Sequence, residues 1–134
     1  MAKRARKKDE ARKLAVEAAR IAERDNAENI VVLDLRGISQ VTDYFVIATG
    51  TSDRQLRTIA DDVAQFGKSA GQKVWQIAGL EKADWVVLDF VDVVVHLFDE
   101  DHRRYYDLEL IWGGAPRVRW RARKPAAGGP KTSP

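Results

Sequence analysis

The sequence predicts an α/β (α+β) domain, a five-stranded mixed sheet with its helices mainly on one face. Three observations carry that expectation. Helical and strand-like hydrophobic periodicities alternate in the order α-β-β-α-β-β-β-α. Ile30–Leu35 (IVVLDL) and Tyr44–Ala48 (YFVIA) are near-continuous apolar runs, as buried strands require. Ala83–Phe98 (ADWVVLDFVDVVVHLF) holds two further runs, Trp85–Leu88 and Val93–Phe98, joined so closely that a hairpin is the natural connection. One sheet face is expected to stay open.

From Asp9 to about Asp25, Leu14, Ala15, Ala18, Ile21 and Ala22 recur at helical spacing in an alanine-rich stretch. Asp25-Asn26 ends that helix, and Ile30–Leu35 is the first strand. Gly37 and Ser39 mark a loop before Tyr44–Ala48. Thr49-Gly50-Thr51-Ser52 then leads into a second helix, where Ser52 and Gln55 fit a capping box. Leu56, Ile59, Ala60, Val63 and Phe66 make its apolar stripe, and Gly71 suits its C-terminal cap. Val74–Ile77 is a short third strand, and the hairpin supplies the fourth and fifth. A last helix is expected from Glu100 to Leu110, with Asp99 as N-cap.

With Phe90 and Val91 as turn residues, Asp89 faces Asp92, Val87 faces Val94 and Trp85 faces His96. Side chains alternate across a sheet. Val86, Leu88, Val93, Val95 and Leu97 then form an apolar core face. Trp85, Val87, Asp89, Asp92, Val94, His96 and Phe98 share the other, which is too polar for a core.

One domain fits the chain length of 134 residues. Without cysteine there is neither a disulfide framework nor a thiolate metal site. The basic N-terminus has no apolar segment behind it, and no run approaches a membrane span, so a cytoplasmic protein is expected. The net charge of +3 hides a segregation. Residues 1–8 carry five positive charges and residues 115–134 six, with no acid in either; residues 9–114 hold 12 positives and all 20 acids, a net of −8. The expected division is a disordered basic N-terminus (1–8), an acidic folded domain (9–114) and a disordered basic Pro/Gly/Ala-rich tail (115–134). An acidic body favours a basic partner, whereas basic tails favour nucleic acid.

Chemistry finds little support. Thr49–Ser52 lacks the Gly-Lys-Ser/Thr ending of a P-loop, so helix capping explains it better. Gly50-Thr51-Ser52 faintly echoes a nucleotidyltransferase helix start. The pair of strand aspartates around one apolar residue is missing: Asp61-Asp62 are adjacent on a helix, and Asp34 precedes Leu35-Arg36. His96 and His102 have no companion at ligand spacing, and no Ser or Thr nucleophile stands near His96. No metal, cofactor or catalytic residue is expected. Trp85 is the sharper signal: a Trp beside an Asp on a polar-striped face is either a core anchor or an exposed binding hot spot, and Trp is enriched among hot spots. On the last helix Arg103, Tyr106 and Leu110 share one stripe, which could set Tyr106 beside Trp85.

Val41–Gln55 (VTDYFVIATGTSDRQ), Ala83–Phe98 and Arg103–Trp112 (RRYYDLELIW) together resemble the ribosomal silencing factor (Iojap-like) family, over about residues 9–112. Val91 departs from the glycine usual in the family's hairpin turn. The resemblance implies a nucleotidyltransferase-like topology without its active site, and a protein that is not an enzyme. It implies binding to the large ribosomal subunit through ribosomal protein L-fourteen, which blocks the small subunit and represses translation under nutrient limitation. Binding carries over onto Trp85, His96, Phe98 and Tyr106, and with them Asp89, Asp92 and Arg103. The resemblance also admits a homodimer, and the basic tails admit contact with ribosomal RNA.

Overall fold

The computed structural model describes residues 2–106 and 114–121. The chain runs α1 (Ala2–Arg24), β1 (Glu28–Asp34), β2 (Tyr44–Gly50), α2 (Asp53–Ser69), β3 (Gln76–Ala78), β4 (Trp85–Asp89), β5 (Val93–Asp99) and α3 (Glu100–Tyr106). The element order is the expected one. The five strands lie in the order β1-β2-β5-β4-β3, with β2 and β5 parallel at the centre and the other neighbours antiparallel.

The helical stripe Leu56, Ile59, Ala60 and Val63 of α2 is fully buried. It meets Val46, Ala48, Val86, Leu88, Val93, Val95 and Leu97 from the sheet. Beside it α1 contributes Ala11, Leu14, Ala15, Ala18, Ala19, Ile21 and Ala22, mostly side chains small enough to let the helix lie close. Ser52 Oγ accepts from the Gln55 amide (3.0 Å), and Gln55 Oε1 accepts from the Thr51 amide (2.6 Å). The cap therefore accounts for the Thr49–Ser52 segment. At the other end, Gly71 (φ +78°) lets the Gln72 amide reach the Gly67 carbonyl (2.7 Å), closing the helix in a Schellman turn.

Three expectations change. First, α1 begins at Ala2, where a disordered stretch was expected over residues 1–8. Lys, Arg and Ala are strong helix formers, and no breaker stands between Ala2 and Asp9. Second, the tail expected to be unpacked from residue 115 is packed as far as Arg121. Arg117 bridges Leu33 of β1, the Asp34 amide donates to the Pro116 carbonyl, and the Val118 amide to the Val32 carbonyl, both at 2.8 Å. Val118 and Trp120 are buried against α1 and β1, and Arg20 Nε donates to the Trp120 carbonyl (2.8 Å). The alternation RVRWR is that of an edge strand, but so short a pattern within an arginine-rich stretch looks like solvated tail.

Third, the hairpin pairs two residues further along than expected: Trp85 faces Phe98, Val87 faces His96 and Asp89 faces Val94. Gly67 of α2 leaves a gap that Phe90 fills, so close that a Cβ there would lie 2.6 Å from the ring. Phe90 is thereby pulled into the ladder, and its amide donates to the Val93 carbonyl (2.8 Å). Val91 and Asp92 are left to turn. Val91 takes φ +78° and the Asp92 amide donates to the Phe90 carbonyl (3.0 Å), a γ-turn that is strained for a β-branched residue. Asp89 Oδ1 accepts from the Val91 amide (2.7 Å) and helps hold it. A slip of two residues preserves the parity of a strand, so both faces keep their members except Asp92.

Where α1 ends, Asp25 meets Asp62 of α2. Burial, and then the neighbouring Asp62 carboxylate, push its carboxyl from 3.8 up to about 6. Folding therefore favours the protonated form. This contribution is fully present below the ordinary carboxylate range and is lost as pH rises through about 6. Asp25→Asn is expected to gain about 1–2 kcal/mol at pH 7, after discounting for partial exposure, and nothing below pH ~4. Thermal melts across that range check it; a gain of equal size at both ends would remove the carboxylate repulsion as its cause.

Candidate functional site

The face of the sheet away from α1 and α2 is built in rows across the strands. One row holds Thr49, Phe98 and Trp85; the next Val31, Ile47, His96 and Val87; the third Leu33, Phe45, Val94 and Asp89. These are the odd-numbered positions of β1, β2, β4 and the even-numbered ones of β5, as the pleat requires. Val31, Leu33, Leu35, Ile47, Phe98 and Ala115 form a second buried cluster here, with Phe45 and Trp85 packed against it.

His96 lies at the centre. Its ring meets Phe45 edge-on at 4.6 Å and Phe98 in parallel at 6.0 Å, while Trp85 stacks on Phe98 at 5.0 Å. The Trp85 indole N–H donates to His96 Nδ1 (3.2 Å) across the diagonal of the β4–β5 pair. Burial pushes the imidazole down to about 4, so His96 is neutral at physiological pH. With Nδ1 accepting, the proton sits on Nε2, which finds no hydrogen-bond partner among the described residues. His96 therefore fixes the tilt of the indole and offers no proton near neutrality.

Solvent reaches this face over half-buried Phe45, Trp85, Val87, Asp89 and Val94, and over exposed Gln76 and Ala78 on the neighbouring β3. His96 and Phe98 are buried beneath them. Of the expected site residues, Trp85 and Asp89 thus stand at the accessible surface, with His96 and Phe98 as the layer supporting Trp85. Asp92 is not on the face; it is exposed at the hairpin tip, where its carbonyl accepts from the Asp43 and Tyr44 amides (3.0 and 3.1 Å). Phe45 is a member that sequence reasoning missed. Its alternation in YFVIA was visible, but the β2–β5 pairing that sets it beside His96 was not.

Arg103 pins α3 to the sheet. Its guanidinium donates to Thr49 Oγ1 (2.8 Å) and to the Asn29 carbonyl, at a bulge in β1. Asp99 caps α3 as expected, accepting from the His102 amide (2.8 Å). The same carboxylate lies 2.8 Å from His102 Nδ1 and raises that histidine above its ordinary value, and Asp84 stands 3.5 Å from Nε2. Tyr106 closes α3; its side chain, and the expected stripe from Tyr106 through Leu110, lie outside the described residues. Gly79 supports the same corner from below. At φ +87° it packs so tightly that a Cβ would fall 2.1 Å from the Trp85 carbonyl oxygen.

Among the described residues no group of three or more His, Asp or Glu could hold a metal ion, and no helix is long and apolar enough to cross a membrane. The site is thus an aromatic patch over a buried, neutral histidine, with the Asp89 carboxylate on the same face. Such a surface can bind by apolar burial with acidic orientation at its edge.

The family model described as "Ribosomal silencing factor during starvation" matches residues 8–133. The chain is 44% identical over 99 residues to the ribosomal silencing factor RsfS of Bacillus subtilis, covering 74% of this chain and 84% of that one. It is 33% identical over 91 residues to the mouse mitochondrial assembly of ribosomal large subunit protein 1, covering 66% of this chain and 40% of that one. A crystal structure of a Chromobacterium violaceum protein superposes with a TM-score of 0.71 at 34% identity, covering 88% of this chain and 89% of the other.

Proposed function

The chain belongs to the ribosomal silencing factor family, and from that premise we propose that its open sheet face docks on the large ribosomal subunit through ribosomal protein L-fourteen. The bound domain then stands in the way of the small subunit and represses translation when nutrients are scarce. Trp85 carries this reading. It is a half-buried indole held in one orientation by Phe98 and His96, on a face that also presents Phe45, Val87, Val94 and Asp89, with exposed Gln76 and Ala78 of β3 at its edge. A rigid aromatic anchor with a carboxylate, Asp89, on the same face suits a basic protein surface. The mouse relative, whose name ties it to assembly of a ribosomal large subunit, supports the same side of the ribosome. Occupancy suffices and no bond need be made or broken.

The test is subunit joining. Purified large subunits incubated with the protein should form fewer joined ribosomes on addition of small subunits, and the order of addition should matter. Joining that proceeds equally with and without saturating protein would overturn the steric reading.

A further inference from the structure

We infer that Arg104, Arg117 and Arg119 form a phosphate-binding strip that grips ribosomal RNA beside the docked protein. The inference rests on the docking proposed above and adds a second, chemically different contact to it.

The strip belongs to the folded body. Residues 117–121 alternate exposed Arg117, buried Val118, exposed Arg119, buried Trp120 and exposed Arg121 along the free edge of β1. Val118 and Trp120 anchor the backbone, so the guanidiniums are presented without the entropic cost of ordering a tail. Outward side chains two residues apart in an extended chain stand about 7 Å apart, close to the separation of neighbouring phosphates on an RNA strand. Arg117 faces Leu33 across its bridge, which sets it on the same side of the sheet as Trp85. One partner surface can therefore meet both.

Two open clefts, of about 470 and 390 Å³, adjoin at Ile30 and Arg117. Together they are bordered by Arg103, Arg104, Arg117, Arg119 and Arg121, against the single carboxylate of Glu100. Arg103 holds Asn29 and Thr49, and Arg121 pairs with Glu23 (2.9 Å) and lies over the Trp120 ring (5.0 Å). Among the described residues neither Arg104 nor Arg119 is paired with a carboxylate. Guanidinium forks match phosphate oxygens two at a time. A row of them at regular spacing suits a polyanion with a repeating charge, and RNA is the polyanion a large subunit presents.

The test compares wild type with Arg104→Gln/Arg117→Gln/Arg119→Gln on two probes, purified large subunits and isolated ribosomal protein L-fourteen. The triple variant should stay folded at the assay temperature, as a thermal melt checks. On subunits it should bind about tenfold more weakly, and its salt dependence over roughly 50–200 mM should be shallower by about 2 in log–log slope. On the isolated protein it should bind like wild type. Unchanged affinity and slope on subunits would overturn the inference. So would an equal loss on both probes, which would place an acidic protein surface against the arginines. Trp85→Ala, run alongside, separates the two proposals. If it binds both probes normally while the arginine variant loses only the subunits, the docking assignment fails and the RNA strip stands.

Discussion

Replacing Trp85 by Ala is expected to weaken large-subunit binding by about 2 kcal/mol or more, roughly 30-fold. The indole is the largest accessible side chain among the described residues of the open face, and it is held on two sides, by stacking on Phe98 and by its N–H to His96. Truncation removes the anchor and uncovers the rings beneath it, so stability must be followed with affinity. A half-buried Trp in this setting should cost about 2 kcal/mol of folding, less than the ~3–5 of a fully buried one. Trp85→Phe separates the effects. It keeps the stack on Phe98 but leaves His96 Nδ1 without its donor, so it should fold nearly as well and retain intermediate binding. Undiminished co-sedimentation of a Trp85→Ala/Tyr106→Ala double variant with large subunits would sink the site assignment.

Ending the chain after Gly114 is expected to remove on the order of 5 kcal/mol of stability, comparable with the whole margin of a small domain. Val118 and Trp120 would leave the core, β1 would lose the backbone partners at Pro116 and Val118, and a bare edge would be exposed. Trp120→Ala alone should cost about 3 kcal/mol, since its side chain is buried in the main core cluster. Denaturant unfolding measures both. A truncated chain with an unchanged midpoint would show that the segment merely rests on the domain. The same consideration makes deletion a poor probe of RNA contact, because lost binding could reflect lost structure. Point changes at exposed arginines avoid that ambiguity.

The titrations of half-buried Asp25 and buried His96 oppose each other. Asp25 binds a proton more readily folded than unfolded, whereas His96 binds one less readily. Between about pH 4 and 6 the first lowers stability as pH rises and the second raises it. In an Asp25→Asn background the remaining slope should therefore carry the sign of His96.

Much of the candidate site was legible beforehand. Trp85, His96 and Phe98 fall on one face because strand parity is a local property, and a turn displaced by two residues leaves parity intact. Asp92 was misplaced because the turn depends on Phe90 finding the gap at Gly67, a contact across more than twenty positions of sequence. Phe45 went unnoticed because pairing β2 parallel to β5 joins segments far apart in the chain. Arg103 looked like a binding residue and holds α3 to the β1 bulge, since nothing local announces Asn29 as its acceptor.

By itself the sequence determined which residues turn inward, where α2 is capped and how many strands the sheet has. Those outcomes follow from periods of 2 and 3.6 and from cap chemistry confined to a few neighbouring residues. Only the tertiary structure decided that RVRWR closes an edge, that His96 and Phe98 lie beneath Trp85, and that Arg117 and Arg119 share a side with it. Each of these depends on which distant segment arrives next to which, and burial energy is set by that neighbour.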